Sequence, residues 1–177
     1  VREGGGSCWP GGVRGDVDSC GRPLAHGEMH CSEGAGRGRF FVMGNAGDYI
    51  SGGMVDNSHV AGGSTGFAGE IGHLIVAPGS SETCVCGGVG CLEALVAPSR
   101  IVARAKKLRD MYPASPMFAG DLEGGVAEIA READGGDVAA RMVIDDTVGH
   151  FAVAVNNIVQ ICDPGTIVLF GDFARLG

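Results

Sequence analysis

Apolar positions are unevenly spread along this chain, and the character of the pattern changes near residue 40. Before it, Gly4-Gly5-Gly6, Gly11-Gly12 and the glycines between 34 and 38 interrupt a stretch with almost no apolar periodicity. Residues 1–39 therefore predict neither helix nor strand, only a poorly ordered or divergent glycine-rich segment. Phe40-Phe41-Val42-Met43 and the run over 50–55, which contains Gly52-Gly53, then read as two strands joined by a glycine-bearing turn. Further on the signals become helical, with a short segment over 92–96 and Ser99 placed to cap a helix over 100–108. Pro113 and Pro116 force a loop, and 126–131 predicts a brief helix. Asp137 is placed to cap a long helix whose apolar residues Val138, Met142, Val148, Phe151, Val155, Ile158 and Cys162 recur at helical spacing. Asp163-Pro164-Gly165 ends it, and Thr166-Ile167-Val168-Leu169-Phe170 before Gly171 reads as a buried strand reaching a tight turn. Helix, turn, apolar strand and glycine in that order predict an α/β fold with a parallel, doubly wound sheet.

Composition narrows the function classes. With 177 residues the chain is one domain or a piece of a larger one. Thirteen basic against 21 acidic residues give a formal charge of -8, which disfavours a nucleic-acid surface built on clustered Lys and Arg. The only dense basic stretch, 100–109, falls on the expected helix and reads as its solvated face. No apolar run approaches the roughly 20 residues that span a bilayer, and the first residues lack a basic flank followed by an apolar segment. A soluble, non-exported protein is expected. Seven cysteines is an odd number, so a paired extracellular disulfide framework is disfavoured and a reducing cytoplasm fits better.

Three of those cysteines crowd together as Cys84-Val85-Cys86 and Cys91, with ten residues between His73 and the first. One imidazole and three thiolates close a tetrahedral structural zinc site, and Gly87, Gly88 and Gly90 supply the tight curl that brings the sulfurs to one ion. The alternative is three reduced, buried thiols around a core histidine. Acidic residues flank the cluster at Glu70 and Glu93; taken singly, each would read as an ordinary solvated carboxylate.

Gly69-Glu70-Ile71-Gly72-His73, followed by Cys84-Val85-Cys86-Gly87-Gly88-Val89-Gly90-Cys91-Leu92-Glu93, resembles the two linked signatures of the ROK family of bacterial sugar kinases and sugar-sensing repressors. The likeness spans about 40–175 and leans toward the glucokinase branch. It implies the second half of an actin-like, ribonuclease H-like (hexokinase-type) ATPase domain over 40–177: a mixed sheet with flanking helices and a zinc-binding loop. The family pattern places sugar hydroxyls on Glu70, His73 and Glu93 and zinc on His73, Cys84, Cys86 and Cys91. The implied ligand is a hexose or N-acetylhexosamine, with ATP and Mg2+ as further cofactors in a competent kinase, and the implied assembly is a homodimer.

Two departures from the pattern bear on activity. Aligned back from Val55, the expected Gly/Thr-rich phosphate loop reads Gly47-Asp48-Tyr49-Ile50-Ser51-Gly52-Gly53, with Asp48 in the place of threonine and Tyr49 in that of a glycine. A carboxylate beside a polyanion is repulsive, so Gly52, Gly53 and, after the last strand, Gly171 are the nucleotide candidates that remain; Gly52-Gly53 reads equally as a strand turn or bulge. The Asn-Asp pair that supplies the family's catalytic base has no counterpart before residue 40, where Asp16 and Asp18 follow no asparagine. The resemblance assigns no catalytic residue, so the chain is read either as a sugar kinase fragment or as the effector domain of a repressor without kinase activity.

Overall fold

Gly47-Asp48 turns the chain between β3 (Phe40–Ala46) and β4 (Tyr49–Asp56), which pair antiparallel from Ala46 opposite Tyr49 to Phe40 opposite Val55. This computed structural model describes residues 7–8, 14–15, 21–31 and 38–175. Within them, β1 (Ser7–Cys8) pairs antiparallel with β2 (Arg14–Gly15), and a four-stranded sheet follows the order β5-β4-β3-β6, with β5 at His59–Val60 and β6 at Thr166–Phe170. Only β3 and β6 run parallel; β4 is antiparallel to both its neighbours. The parallel, doubly wound expectation is corrected to a mixed sheet. The physical reason is local: a two-residue turn can join only antiparallel strands, whereas the long connection through α5 permits the one parallel pair.

Both faces of the sheet are covered. Phe41 and Met43 point to one side, against Leu92, Leu95, Ala154 and Ile158; Phe40 and Val42 point to the other, against Ala25. That explains why β3 opens with an unbroken apolar run rather than an alternation. The cover on the second face is α1 (Gly21–Cys31), a helix in the stretch for which the sequence predicts none. Pro23 and Gly27 depress its intrinsic propensity, but tertiary contact overrides it. Ala25 is fully buried, and a Cβ on Gly53 would come within 2.8 Å of its own Cβ. Asp16 and Asp18 lie outside the described residues.

On the first face lie α2 (Leu92–Val96) and the later part of α5 (Val138–Cys162), with α3 (Pro98–Lys107) and α4 (Gly125–Asp134) packed on α5 beyond it. The N-terminal half of α5 joins α3 and α4 in a second apolar cluster around Ile101, Met117, Ile129 and Val143. Here the expected stripe is corrected, because Val138, Met142 and Val148 face solvent while Ala139, Ala140, Val143 and Thr147 are buried. Small alanines let α4 approach closely; larger side chains on that face would hold it off. Ser99 does not cap α3, which begins one residue earlier at Pro98, where the missing proline N–H costs nothing. The Ser99 N–H instead donates to Asp48 Oδ1 at 2.9 Å, so the cap comes from the distant β3–β4 hairpin.

Asp137 does cap α5, accepting from the Ala140 N–H at 2.8 Å and from the Ser115 hydroxyl at 2.6 Å. Burial alone raises its pKa, but the Ser115 hydroxyl and the N–H groups of Ala140, Ala139 and Met117 outweigh it and hold the carboxyl below its ordinary value. A depressed folded-state pKa stabilises above the unfolded value and is lost as pH falls through the folded one. Asp137→Ala is expected to cost about 1 kcal/mol near neutral pH and progressively less in acid. Urea denaturation of both proteins across pH checks this; a pH-independent difference contradicts it.

Candidate metal centre and binding cavity

The segment between β5 and α2 is held together by single backbone bonds rather than by regular structure. A 3-10 turn, Ile71–His73, opens at Glu70 and closes at His73, so those two residues begin and end one short element. Gly72 inside it lies against the sheet, where an added Cβ would sit 2.5 Å from the Ile50 carbonyl and 3.2 Å from Glu93 Oε2. The following loop folds back on itself through isolated bridges, Ile75 to Cys91 and Thr83 to Val89. Gly90 accepts from the N–H groups of Val76 and Ala77 at 2.9 and 3.2 Å and donates to Glu82 at 3.0 Å, which returns the chain beside His73. Cys91 then enters α2.

This path brings the four predicted ligands together. Their donor atoms lie within 4.8 Å of one another, with His73 Nδ1 3.6 Å from Cys84 Sγ and Cys86 Sγ 3.7 Å from Cys91 Sγ. Tetrahedral zinc with bonds of ~2.0–2.3 Å separates its donors by roughly 3.3–3.8 Å, so donor set and spacing fit such a cation. The thiols differ in environment. Burial, with the neighbouring Cys86 and Cys84 adding to it, pushes the Cys91 thiol up to about 12; the Gly88 N–H, followed by Cys84, lowers exposed Cys86. A cation must therefore displace a tightly held proton from Cys91.

Glu93 is buried and its Oε2 accepts the Ile50 N–H at 3.0 Å, so it fastens α2 to the start of β4. It is not a solvated acid. It also lines a cavity of ≈ 650 Å³ together with Asp48, Tyr49, Cys84, Val85, Ser99 and Arg100. Glu70 and His73 are not among the residues lining that cavity; they stand at the two ends of the turn packed beside Glu93.

The three glycine candidates occupy different settings. Gly52 and Gly53 are buried mid-strand, opposite Met43 and Val42, with Gly21 packed over them; a Cβ on Gly53 would lie 2.7 Å from the Gly21 carbonyl oxygen. Gly171, at φ +71, follows β6 beside Asn45, whose carbonyl a Cβ would meet at 2.4 Å. Its neighbour Asp172 lines a second cavity of ≈ 460 Å³, with Pro98, Ser99, Lys106, Gly124 and Gly125. The Asn45 side chain ties these parts together: Nδ2 donates to the Gly47 carbonyl at 2.9 Å and to Asp172 at 3.0 Å, and Oδ1 accepts the Asp172 N–H at 2.8 Å. Sequence reading missed this latch and the approach of Asp48 to α3. The two-residue turn at Gly47-Asp48 was the available signal for a rigid hairpin tip, but its target lies 51 positions away.

A mixed sheet with helices on both faces and a His-Cys loop beside a buried carboxylate define an actin-like α/β fold. A solved structure of a ROK family glucokinase from Streptomyces griseus, in complex with glucose and AMPPNP, superposes with a TM-score of 0.77 at 23% identity, covering 92% of this chain and 53% of that one. The chain belongs to the ROK family, whose model matches residues 32–176. The likeness therefore begins before residue 40. The glucokinase of Halalkalibacterium halodurans is 30% identical over 164 residues, 91% of this chain and 49% of that protein. The N-acetylglucosamine repressor of Escherichia coli is 31% identical over 123 residues, 70% of this chain and 30% of that protein. The chain thus spans half or less of the length of these curated relatives. Among the described residues no helix is long and apolar enough to cross a membrane.

Proposed function

We propose that residues 40–177 form the sugar-binding part of a glucokinase-like ROK kinase, acting in the cytoplasm on a hexose or N-acetylhexosamine, with the cluster at His73, Cys84, Cys86 and Cys91 holding structural zinc. The observation that carries this reading is the orientation of His73. Its Nδ1 faces Cys84 Sγ at 3.6 Å, which leaves Nε2 free in the same turn that begins at Glu70 and packs on Glu93. A bound zinc would fix the ring's orientation and place the remaining proton on Nε2, ready to donate to a sugar oxygen. Glu70 and Glu93 would accept from vicinal hydroxyls, the stronger, charge-assisted class of hydrogen bond. The similarity to a glucokinase and to an N-acetylglucosamine repressor supports a sugar ligand.

In the intact kinase, ATP with Mg2+ would supply the phosphoryl group, and the cavity at Lys106, Gly124 and Gly125 beside Gly171 would take the nucleotide. The chain alone is expected not to turn over, for want of a base. A second reading, the effector domain of a sugar-responsive repressor, is favoured by one feature: Asp48 already satisfies the α3 N-terminus with its own carboxylate, where a phosphate would otherwise be attracted. A homodimer and the absence of direct nucleic-acid binding by this chain complete the proposal, the latter supported by the charge of -8.

Calorimetric titration of the zinc-loaded protein with glucose, N-acetylglucosamine and N-acetylmannosamine tests the core of it. Saturable heat with at least one sugar is expected; none with any of the three overturns both readings. A coupled assay for ADP release then separates kinase from sensor, with turnover placing the chain among the kinases and contradicting the missing base.

A further inference from the structure

The tip of the β3–β4 hairpin carries two side chains that the proposed site does not yet use. Asp48 and Tyr49 both line the ≈ 650 Å³ cavity, alongside Glu93 and Cys84. Tyr49 is 71% exposed although the next residue of the same strand, Ile50, is 3% exposed. Its ring is thus a flat apolar surface left uncovered on the wall of a concavity whose volume falls within the ~300–1,000 Å³ of small-molecule sites.

The hairpin tip is not free to swing. Asn45 Nδ2 holds the Gly47 carbonyl, Asp48 Oδ1 is bonded to the Ser99 N–H, and Ile50 N–H is bonded to Glu93. Tyr49 therefore sits between two anchored neighbours, on backbone already fixed to α2 and α3. A preorganised aromatic costs little further ordering entropy when a ligand covers it.

The rest of the lining sorts into two kinds. Val85, Ala94, Ala97 and Ala103 are apolar, whereas Asp48, Glu93, Ser99 and Arg100 offer acceptors and donors. Two carboxylates stand against one guanidinium, and Arg100 already lies 3.9 Å from Glu82, so the cavity is poorly suited to a polyanion. A pyranose matches it: the ring presents a face of C–H groups, which the negative face of an aromatic attracts, and a rim of hydroxyls, which carboxylates accept.

We infer that Tyr49 is the stacking platform for a pyranose ring in this cavity, a sugar-positioning residue that meets one C–H face of the ring. The inference rests on the sugar-binding reading given above and joins it through Glu93, the one of its three sugar-binding residues that lines this cavity. It adds a named contact and a face of the ring to that reading.

Zinc-loaded wild type, Tyr49→Phe and Tyr49→Ala should be titrated with glucose and N-acetylglucosamine, with zinc content and thermal midpoint measured on each. Tyr49→Phe should keep affinity within about twofold, and Tyr49→Ala should lose about 5- to 10-fold, the range of an aromatic contact. In saturation-transfer NMR, irradiating the aromatic protons of wild type should mark the C–H protons of one sugar face, and Tyr49→Ala should erase the pattern. Equal affinity and unchanged saturation transfer in Tyr49→Ala, with wild type binding sugar, would overturn the stacking role alone. Absence of binding by wild type would instead remove the sugar reading on which it stands.

Discussion

Cys91→Ser is expected to abolish zinc retention and to weaken sugar binding by at least ~100-fold, the upper range for loss of groups that orient a metal site. Cys91 is 1% exposed, pairs with Ile75 across the loop and leads directly into α2, so it links the metal centre to the element that carries Glu93. A serine oxygen is a harder and shorter donor than a thiolate and cannot take its place in a soft tetrahedral set. Because free energy of metal binding at such sites is free energy of folding, the loop over 74–91 should lose hydrogen-exchange protection in the variant. Wild type purified without added metal should carry one zinc per chain. Because burial holds the Cys91 proton so firmly, zinc affinity should fall as pH is lowered, by about tenfold per unit for each proton displaced. Metal analysis, calorimetry and exchange measured together decide the matter. Full zinc content, or full sugar affinity, in Cys91→Ser contradicts the link between the two.

Gly90→Ala should be nearly as damaging, and for a purely steric reason. Gly90 has φ +73, and an added Cβ would lie 1.9 Å from the carbonyl oxygen of Ala77, a backbone atom with nowhere to retreat. The same residue makes three of the backbone bonds that close the loop, to Val76, Ala77 and Glu82. The left-handed conformation alone costs ~1–2 kcal/mol for a non-glycine residue, and the clash adds to it, so a loss above about 3 kcal/mol is expected. Gly87 is the internal control: its φ is +87, but an added Cβ meets nothing within 4 Å. Gly87→Ala should therefore show only the conformational cost. Urea midpoints of the zinc-loaded proteins measure both, and equal losses would show that the contact with Ala77 is unimportant.

These two effects depend on features that differ in how plainly they stand in the sequence. The His-Cys cluster that could hold a metal was legible because its chemistry is carried by residue type and by short spacing: Cys84, Cys86 and Cys91 lie within eight positions. The strands at Phe40–Ala46 and Thr166–Phe170, the Asp137 cap and the Asp163-Pro164-Gly165 stop were legible too, since each depends on a local conformational preference; the burial expected of Thr166–Phe170 was not, because it is an edge strand and stays partly exposed. The helix Gly21–Cys31 was not, because its residues favour turns and it is held by packing on β3 and β4. The buried stripe of α5 was misread for a related reason. Periodicity reports which residues are apolar, whereas burial in a crowded helix contact selects the small ones, Ala139, Ala140 and Ala154.

What the sequence by itself determined is the family, the His-Cys cluster that could hold a metal and the acids that flank it, because side-chain chemistry and short-range spacing survive without knowledge of the fold. Only the tertiary structure decided what those residues face. It turned Glu93 from an acid of uncertain exposure into a buried carboxylate on the Ile50 N–H, and moved the α3 cap from Ser99 to Asp48 across 51 positions of chain. It also set Gly52 and Gly53 beneath α1 and put Tyr49 on the wall of a cavity. Each of these depends on contacts between distant segments, whose geometry is fixed by packing the whole molecule and by satisfying every buried polar group, and no local pattern encodes it.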